Sequence, residues 1–266
     1  DFISLNKVDA QRSEAFVIGT VKDIRDKGDK KVLEIEDPTG SATVIFDTLE
    51  DVDIDDTVAI RGIAAGKIIF GKEIIFPDIP IRPAAKGFGK GCFVSDLHIG
   101  EAPPLHIHTF FQWLHNEPVD FLFVAGDVGD ERQFMELVQQ YCSQKKVVII
   151  PGGTTYPSAP VSLGVQNILS LSYPAMVEAN GIKVLIIHEF KARYLKKRHL
   201  GDTRRMFAED YLVMDETPDI IHCGQSHQPH VSNYKSVTIV NSGSPLATFM
   251  PVVIDFATRE TQQVQL

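Results

Sequence analysis

The segment Phe93-Val94-Ser95-Asp96-Leu97-His98-Ile99-Gly100 joins an apolar, strand-forming run that starts at Cys92 to an aspartate and a histidine two residues apart, then to a glycine. Side chains at i and i+2 share one face of a strand, and at a strand's end both can converge on one point. A carboxylate and an imidazole converging at the carboxyl edge of a parallel sheet are ligands for a divalent metal. Alone, Asp-x-His is more often a turn carboxylate and a surface imidazole. Here the same design recurs downstream.

From Cys92 onward, apolar runs alternate with helical periodicity. Strands are expected at residues 92–97, 121–126, 146–151, 183–188, 219–223 and 237–241, and helices at about 105–116 and 131–144, where Phe134, Leu137, Val138 and Tyr141 recur at helical spacing. This order predicts a layered α/β domain, in which ligands bind at the carboxyl ends of the strands. Polar residues cluster at those ends. The second strand runs into Gly126-Asp127-Val128-Gly129-Asp130, the third into Pro151-Gly152-Gly153-Thr154-Thr155, the fourth into His188-Glu189, and the fifth into Gly224-Gln225-Ser226-His227. Asp130 is placed to cap the helix that begins at Glu131. His222 lies inside a strand and is expected as a core histidine. Asn241 and Ser242 end the last strand, where they can orient a ligand from behind.

The region before the linker reads differently. From Glu14, short strands follow one another with no helix: 15–24 with an internal Gly19, 31–35 and 42–46 around the turn Asp37-Pro38-Thr39-Gly40, then 57–64, 67–70 and 73–76. Five or six strands in so few residues suggest a small closed barrel of OB type, with Gly19 at a barrel corner. Its Phe16, Phe46, Phe70 and Phe76 sit on apolar strands, and residues 1–85 carry 11 Lys and Arg against 17 Asp and Glu. A stacking groove for single strands needs basic residues, so this barrel is expected to be an interaction module. A Pro- and Gly-punctuated linker from Ile79 to Gly91 separates it from the next domain. The expected division is residues 1–85 for the barrel and 86–266 for the α/β domain.

Taken as Asp-x-His, Gly-Asp-x-x-Asp, a Gly-Gly turn, a strand-end His and Gly-x-x-His, the segments from Gly91 to Asn241 resemble the calcineurin-like metallophosphoesterases. The barrel fused to that domain, with Leu195-Lys196-Lys197-Arg198-His199-Leu200 and Ile239-Val240-Asn241-Ser242-Gly243-Ser244 downstream, resembles the small subunits of archaeal D-family DNA polymerases. The B-subunits of eukaryotic replicative polymerases share this plan. The fold class expected is therefore an α/β metallophosphoesterase, a layered β-sandwich with flanking helices, preceded by an all-β OB-fold barrel. The resemblance implies a large catalytic polymerase subunit as partner, DNA met through that complex, and, in active members, a manganese-dependent 3′–5′ exonuclease.

Carried over residue by residue, the family's first metal maps to Asp96, His98, Asp127 and His227, all present. The second maps to Asp127, Gly153, His188 and Gln225, where glycine and an amide stand in place of the family's Asn and His. Thr154 stands where the family has a His that assists the leaving group. Two-metal hydrolysis uses both ions to clamp the transferring phosphoryl group, and loss of an acid–base group alone costs about 10²–10⁴ in rate. The expectation is at most one divalent ion, manganese or another, and absent or impaired hydrolysis. The function expected is a non-catalytic or impaired polymerase small subunit that scaffolds the large chain. The alternatives are an active proofreading exonuclease subunit and a free-standing metallophosphoesterase, against which the barrel argues.

Between Lys191 and Arg205, seven basic residues face one acid, Asp202. Lys196, Lys197, Arg198, Arg204 and Arg205 are the candidates for nucleic-acid or partner contact, against the plainer reading of a solvated helix face. The chain has 266 residues, a net charge of -9 and a mean hydropathy of -0.02, so composition does not advertise a nucleic-acid binder. No run approaches a membrane helix, no secretory leader is seen, and three scattered cysteines suit a reducing cytoplasm.

Overall fold

The computed structural model describes residues 2–8, 14–49, 51–153, 158–201 and 210–266. In β1 (Glu14–Lys27), Ala15, Val17 and Val21 are buried while Glu14 and Ile18 face outward, the period-two signature of a strand with one face on a core. β2 (Lys30–Asp37), β3 (Gly40–Phe46), β4 (Thr57–Ala65) and β5 (Ile68–Ile75) follow, and the five close into a barrel of order β1-β2-β3-β5-β4. The length of β1 makes closure possible. Its first half, Glu14 to Thr20, pairs with β4, and its second half, Thr20 to Lys27, pairs with β2. The register shifts between Val21 and Asp23, just past Gly19, so the strand bends where the sequence placed a corner. Leu33, Ile35, Val44, Ile60 and Ile69 fill the interior.

The chain divides into two compact units, Asp1–Ile79 with Lys191–Asp215, and Pro80–Phe190 with Glu216–Leu266. The segment Lys191–Asp215 thus groups with the barrel, although in sequence it interrupts the second unit and the sequence reading assigned it to the α/β domain. Apolar and ionic contacts explain the grouping. Tyr194 and Leu195, on the short helix α3 (Arg193–Lys197), are buried, and Lys197 ion-pairs with Asp53 and Asp56 of the β3–β4 connection.

In the second unit, β6 (Lys90–Val94), α1 (Pro104–Asn116), β7 (Phe121–Ala125), α2 (Glu131–Tyr141), β8 (Lys146–Ile150) and β9 (Ile168–Ser170) alternate as expected of a parallel arrangement. β10 (Ala175–Ala179), β11 (Ile182–Ile186), β12 (Ile220–His222), β13 (Pro229–Tyr234), β14 (Val237–Ser242), β15 (Val252–Asp255) and β16 (Thr261–Gln263) complete it. Two sheets result, of order β16-β15-β6-β7-β8-β9 and β10-β11-β12-β14-β13.

β6, β7 and β8 carry almost unbroken apolar runs because both their faces are covered. Cys92, Val94, Leu122, Val124, Val147 and Ile149 pack with Phe110, Phe111 and Leu114 of α1 and with Phe134 and Val138 of α2. The alternate residues turn to the other sheet: Phe93 stacks on Phe123 at 4.8 Å and meets the ring of His222 edge-on at 5.3 Å. His222 is thus fully buried in the sandwich core. Asp130 caps α2, its carboxylate accepting the Gln133 N–H at 2.9 Å, and the helix closes at Cys142, short of the expected 144. Among the described residues no helix is long and apolar enough to cross a membrane.

Candidate metal centre

The carboxyl ends of β6 and β7 are tied together by backbone. Asp96 N–H donates to the Gly126 carbonyl at 3.1 Å, His98 N–H to that of Asp127 at 3.0 Å, and Ile99 N–H to that of Val128 at 2.8 Å. The loop after β12 is tied to the end of β11 through Gly224 N–H and the His188 carbonyl at 2.9 Å. These bonds draw four strand ends to one place. Asp96, His98, Asp127, Gln225 and His227 all have positive φ, between 44° and 63°. A non-glycine residue in that region costs about 1 kcal/mol, so five of them in one place mark a backbone shaped for a site.

Two groups of donors form. In the first, His98 Nε2 and His227 Nε2 lie 3.2 Å apart, and His227 Nε2 lies 3.5 Å from Asp96 Oδ1. Such spacings are those of donors sharing one cation at about 2 Å from each. Without a cation, one of two facing imidazole nitrogens must donate to the other; with one, both lone pairs are satisfied. In the second group, His188 Nε2 lies 3.1 Å from Asp127 Oδ2 and 3.7 Å from Asp96 Oδ1. The other nitrogen of His188 is held by the Ala125 carbonyl at 2.7 Å, which fixes the ring. Asp96 belongs to both groups, and Asp127 joins the second. A mixed carboxylate and imidazole set suits a divalent cation, so the residues fit one.

The charges are tuned by these contacts. Burial raises the pKa of Asp96, partly opposed by its hydrogen bonds and the nearby imidazoles. The hydrogen bond from His188 lowers that of Asp127. Burial alone would lower that of His188, but Asp127, the Ala125 carbonyl and Asp96 outweigh it and the net shift is upward. Both oxygens of Asp96 accept the Gln225 backbone N–H, at 3.1 and 3.0 Å.

Glycine is required where the centre is tightest. A Cβ on Gly152 would lie 1.7 Å from Asp127 Oδ1, and one on Gly224 would lie 2.6 Å from Asp96 Oδ2. At Gly153, in contrast, a Cβ would meet nothing within 4 Å among the described residues. Gln225 is exposed and reaches the centre through its backbone N–H. Thr154 lies outside the described residues.

Several supports were not named from sequence. Ser244 Oγ donates to the Asp96 carbonyl at 2.8 Å, and Glu101 Oε2 lies 3.8 Å from His98 Nδ1. The i,i+3 spacing of His98 and Glu101 was a usable signal; for Ser244, 148 residues from Asp96, there was none. Asn241 Nδ2 donates to the Gly224 carbonyl at 2.9 Å, and Ser242 Oγ accepts the Ser95 N–H at 2.9 Å, so both brace the loops that carry the donors.

The basic run is engaged by its own unit. Lys197 Nζ lies 2.8 Å from Asp53 and 2.5 Å from Asp56, Arg193 pairs with Asp53, and Lys196 sits 4.8 Å over the Phe76 ring. Arg198 donates to the carbonyls of Met214 and Asp215 at 2.9 and 2.8 Å. Within that unit Lys196, Lys197 and Arg198 thus meet a ring, carboxylates and carbonyls. Arg204 and Arg205 lie outside the described residues.

Residues 90–263 match the model of the calcineurin-like phosphoesterase superfamily domain. The chain is also 27% identical to the DNA polymerase II small subunit of Methanothermobacter thermautotrophicus, over 86% of this chain and 64% of that protein. It is 26% identical to the protein of that name from Archaeoglobus fulgidus, over 88% and 63%, and 28% identical to that from Halobacterium salinarum, over 87% and 61%. It therefore spans a little under two thirds of the length of these relatives.

Proposed function

Because the chain belongs to the calcineurin-like phosphoesterase superfamily, we propose that it is the small subunit of a D-type replicative DNA polymerase whose phosphoesterase centre holds one divalent ion and hydrolyses poorly or not at all. Its similarity to three archaeal polymerase small subunits over most of its length supports the polymerase assignment. Its partner on this reading is a large catalytic polymerase chain, and DNA reaches it through that complex.

The observation that carries the reading is the asymmetry of the centre. Asp96, His98 and His227 converge on one point, with Asp127 close by. On the far side, His188 is in place, but Gly153 brings no donor and Gln225 brings a backbone N–H to Asp96. A bound divalent ion supplies a Lewis acid and lowers the pKa of coordinated water. His98 and His227 present neutral nitrogens to it, and Asp96 and Asp127 supply negative charge. Ser244 and Asn241 hold the backbone of Asp96 and Gly224 in position. His188 is held near the Asp127 and Asp96 carboxylates, which raise its pKa despite burial. Carboxylate oxygens suit manganese, and the imidazoles suit zinc or iron. The presence of His188 and Asp127 also supports the second reading, an active 3′–5′ exonuclease with an altered second site.

Metal stoichiometry tests the proposal. Titration with manganese, followed by calorimetry, is expected to give one ion per chain, lost in His227→Ala. Two ions per chain in the unaltered protein would contradict it.

A further inference from the structure

Asp96 belongs to both donor groups, so the position of its carboxylate governs the whole centre. Its backbone is left-handed, with a φ of 51°, a conformation that costs about 1 kcal/mol and persists only where the surroundings impose it. Three contacts impose it here. The Asp96 N–H donates to the Gly126 carbonyl at 3.1 Å, the carboxylate accepts the Gln225 N–H, and the Asp96 carbonyl accepts the Ser244 hydroxyl at 2.8 Å. The first two contacts come from the loops that also carry Asp127 and His227. The third comes from a segment that carries no donor to the centre.

That segment is a tight turn. Gly243 N–H donates to Asn241 Oδ1 at 2.8 Å, Ser244 N–H to the Thr248 carbonyl at 3.0 Å, and Ala247 N–H to the Ser244 carbonyl at 3.0 Å. Gly243 has a φ of 72°, and a Cβ there would lie 2.0 Å from the Thr248 carbonyl oxygen, so the turn closes on glycine. Leu246 N–H donates to Ser244 Oγ at 3.3 Å, which leaves the hydroxyl proton for Asp96. One residue earlier in the same loop, Ser95 N–H donates to Ser242 Oγ at 2.9 Å. Asp96, Ser242 and Ser244 are fully buried, so a bond lost among them is left unmade rather than handed to bulk water.

We propose that Ser244 is a positioning residue for the metal centre: by donating to the Asp96 carbonyl it holds the left-handed backbone that aims the Asp96 carboxylate at both donor groups, and so sets the affinity for the ion. Partners behind the ligands of a metal commonly act in this way, through orientation. The inference rests on the reading of this centre as a site for one divalent ion. His98 is held through its own N–H on the Asp127 carbonyl, so its place does not depend on Ser244. Loss of the hydroxyl therefore lowers affinity and leaves the number of ions at one.

The test compares Ser244→Ala with Asn167→Ala in the full chain. Asn167 Nδ2 donates to the carbonyls of Cys142 and Lys145 at 2.9 and 2.8 Å, just before β9 and at the opposite edge of the sheet from the centre, so its loss costs stability without reaching Asp96. Two quantities are read: manganese affinity, by calorimetric titration, and hydrogen exchange at the Gln225 amide without metal. Gln225 N–H is bonded to the Asp96 carboxylate, so its exchange reports where that carboxylate lies. In Ser244→Ala, manganese affinity is expected to fall about 10- to 100-fold, and Gln225 exchange to quicken at least about fivefold. Asn167→Ala is expected to change neither. Unchanged affinity or unchanged Gln225 exchange in Ser244→Ala overturns the proposal, as does an equal loss of affinity in Asn167→Ala. Two ions, or none, in the unaltered protein would contradict the one-ion reading instead, and the Gln225 comparison would still decide whether Ser244 positions Asp96.

Discussion

On the proposed reading, Gly153 and Gln225 decide how many cations this centre keeps. Everything around them is built for a phosphoesterase: Gly152 leaves room for Asp127, Gly224 leaves room for Asp96, and His188 is anchored by the Ala125 carbonyl. Among the described residues nothing lies within 4 Å of a Cβ at Gly153, so an asparagine there costs a left-handed backbone, about 1 kcal/mol. The double variant Gly153→Asn with Gln225→His is therefore expected to bind a second manganese ion, raising the stoichiometry by calorimetric titration from one to two. If it stays at one, the missing donors are not what limits the second position. Asp96, Asp127 and His188 were legible from sequence because each stands two residues past an apolar strand, and His98 and His227 because they follow within four and five residues of theirs. The tight glycines were legible only as turns, since their function depends on which carboxylate lies opposite. Ser244 went unnamed because its contact with the Asp96 carbonyl spans 148 residues, whereas the i,i+3 spacing of Glu101 from His98 was a signal that could have found it.

At the scale of elements, the strand–helix alternation from β6 to β8 was readable because both faces of those strands are covered, which writes long apolar runs. β9 and β16 span three residues each, too short for periodicity to declare them. β13 pairs antiparallel with β14 from Pro229 opposite Ser242 onward, a proline being tolerated at a strand's first position. His222 shows what the sandwich core costs at low pH. Burial against Phe93 pushes its pKa down from 6.5 to about 3. The unfolded chain therefore binds a proton below pH 6.5 that the folded chain refuses until about pH 3, and stability falls as pH drops through that window. His222→Leu is expected to flatten the decline in urea-unfolding free energy between pH 6.5 and pH 4. An unchanged slope would mean that His222 finds a proton's charge compensated in the folded state.

For the whole molecule, composition alone pointed to an ordinary globular chain, and its net charge of -9 argued against nucleic acid. The motifs pointed the other way, and the structure shows why the two signals conflict: opposite charges meet within the first unit, between Asp53 and Lys197, 144 residues apart in sequence. No local reading of either run reveals that pairing. The polymerase assignment makes a prediction at this scale. Co-expressed with the large chain of a D-type polymerase, the protein is expected to co-elute as a stable complex in size-exclusion chromatography. Persistent separate elution of two folded chains would favour a free-standing phosphoesterase.

The central claim is that the phosphoesterase architecture is retained while its hydrolytic power is not. Degradation of a single-stranded DNA labelled at its 3′ end, with manganese and enzyme in excess, tests it most directly when the protein is run beside Asp127→Ala. The account predicts that the two are indistinguishable, with the label retained on full-length strand at times when an active exonuclease would have removed it. Cleavage by the unaltered protein that disappears in Asp127→Ala would show that the centre works without the missing donors, and would contradict the account.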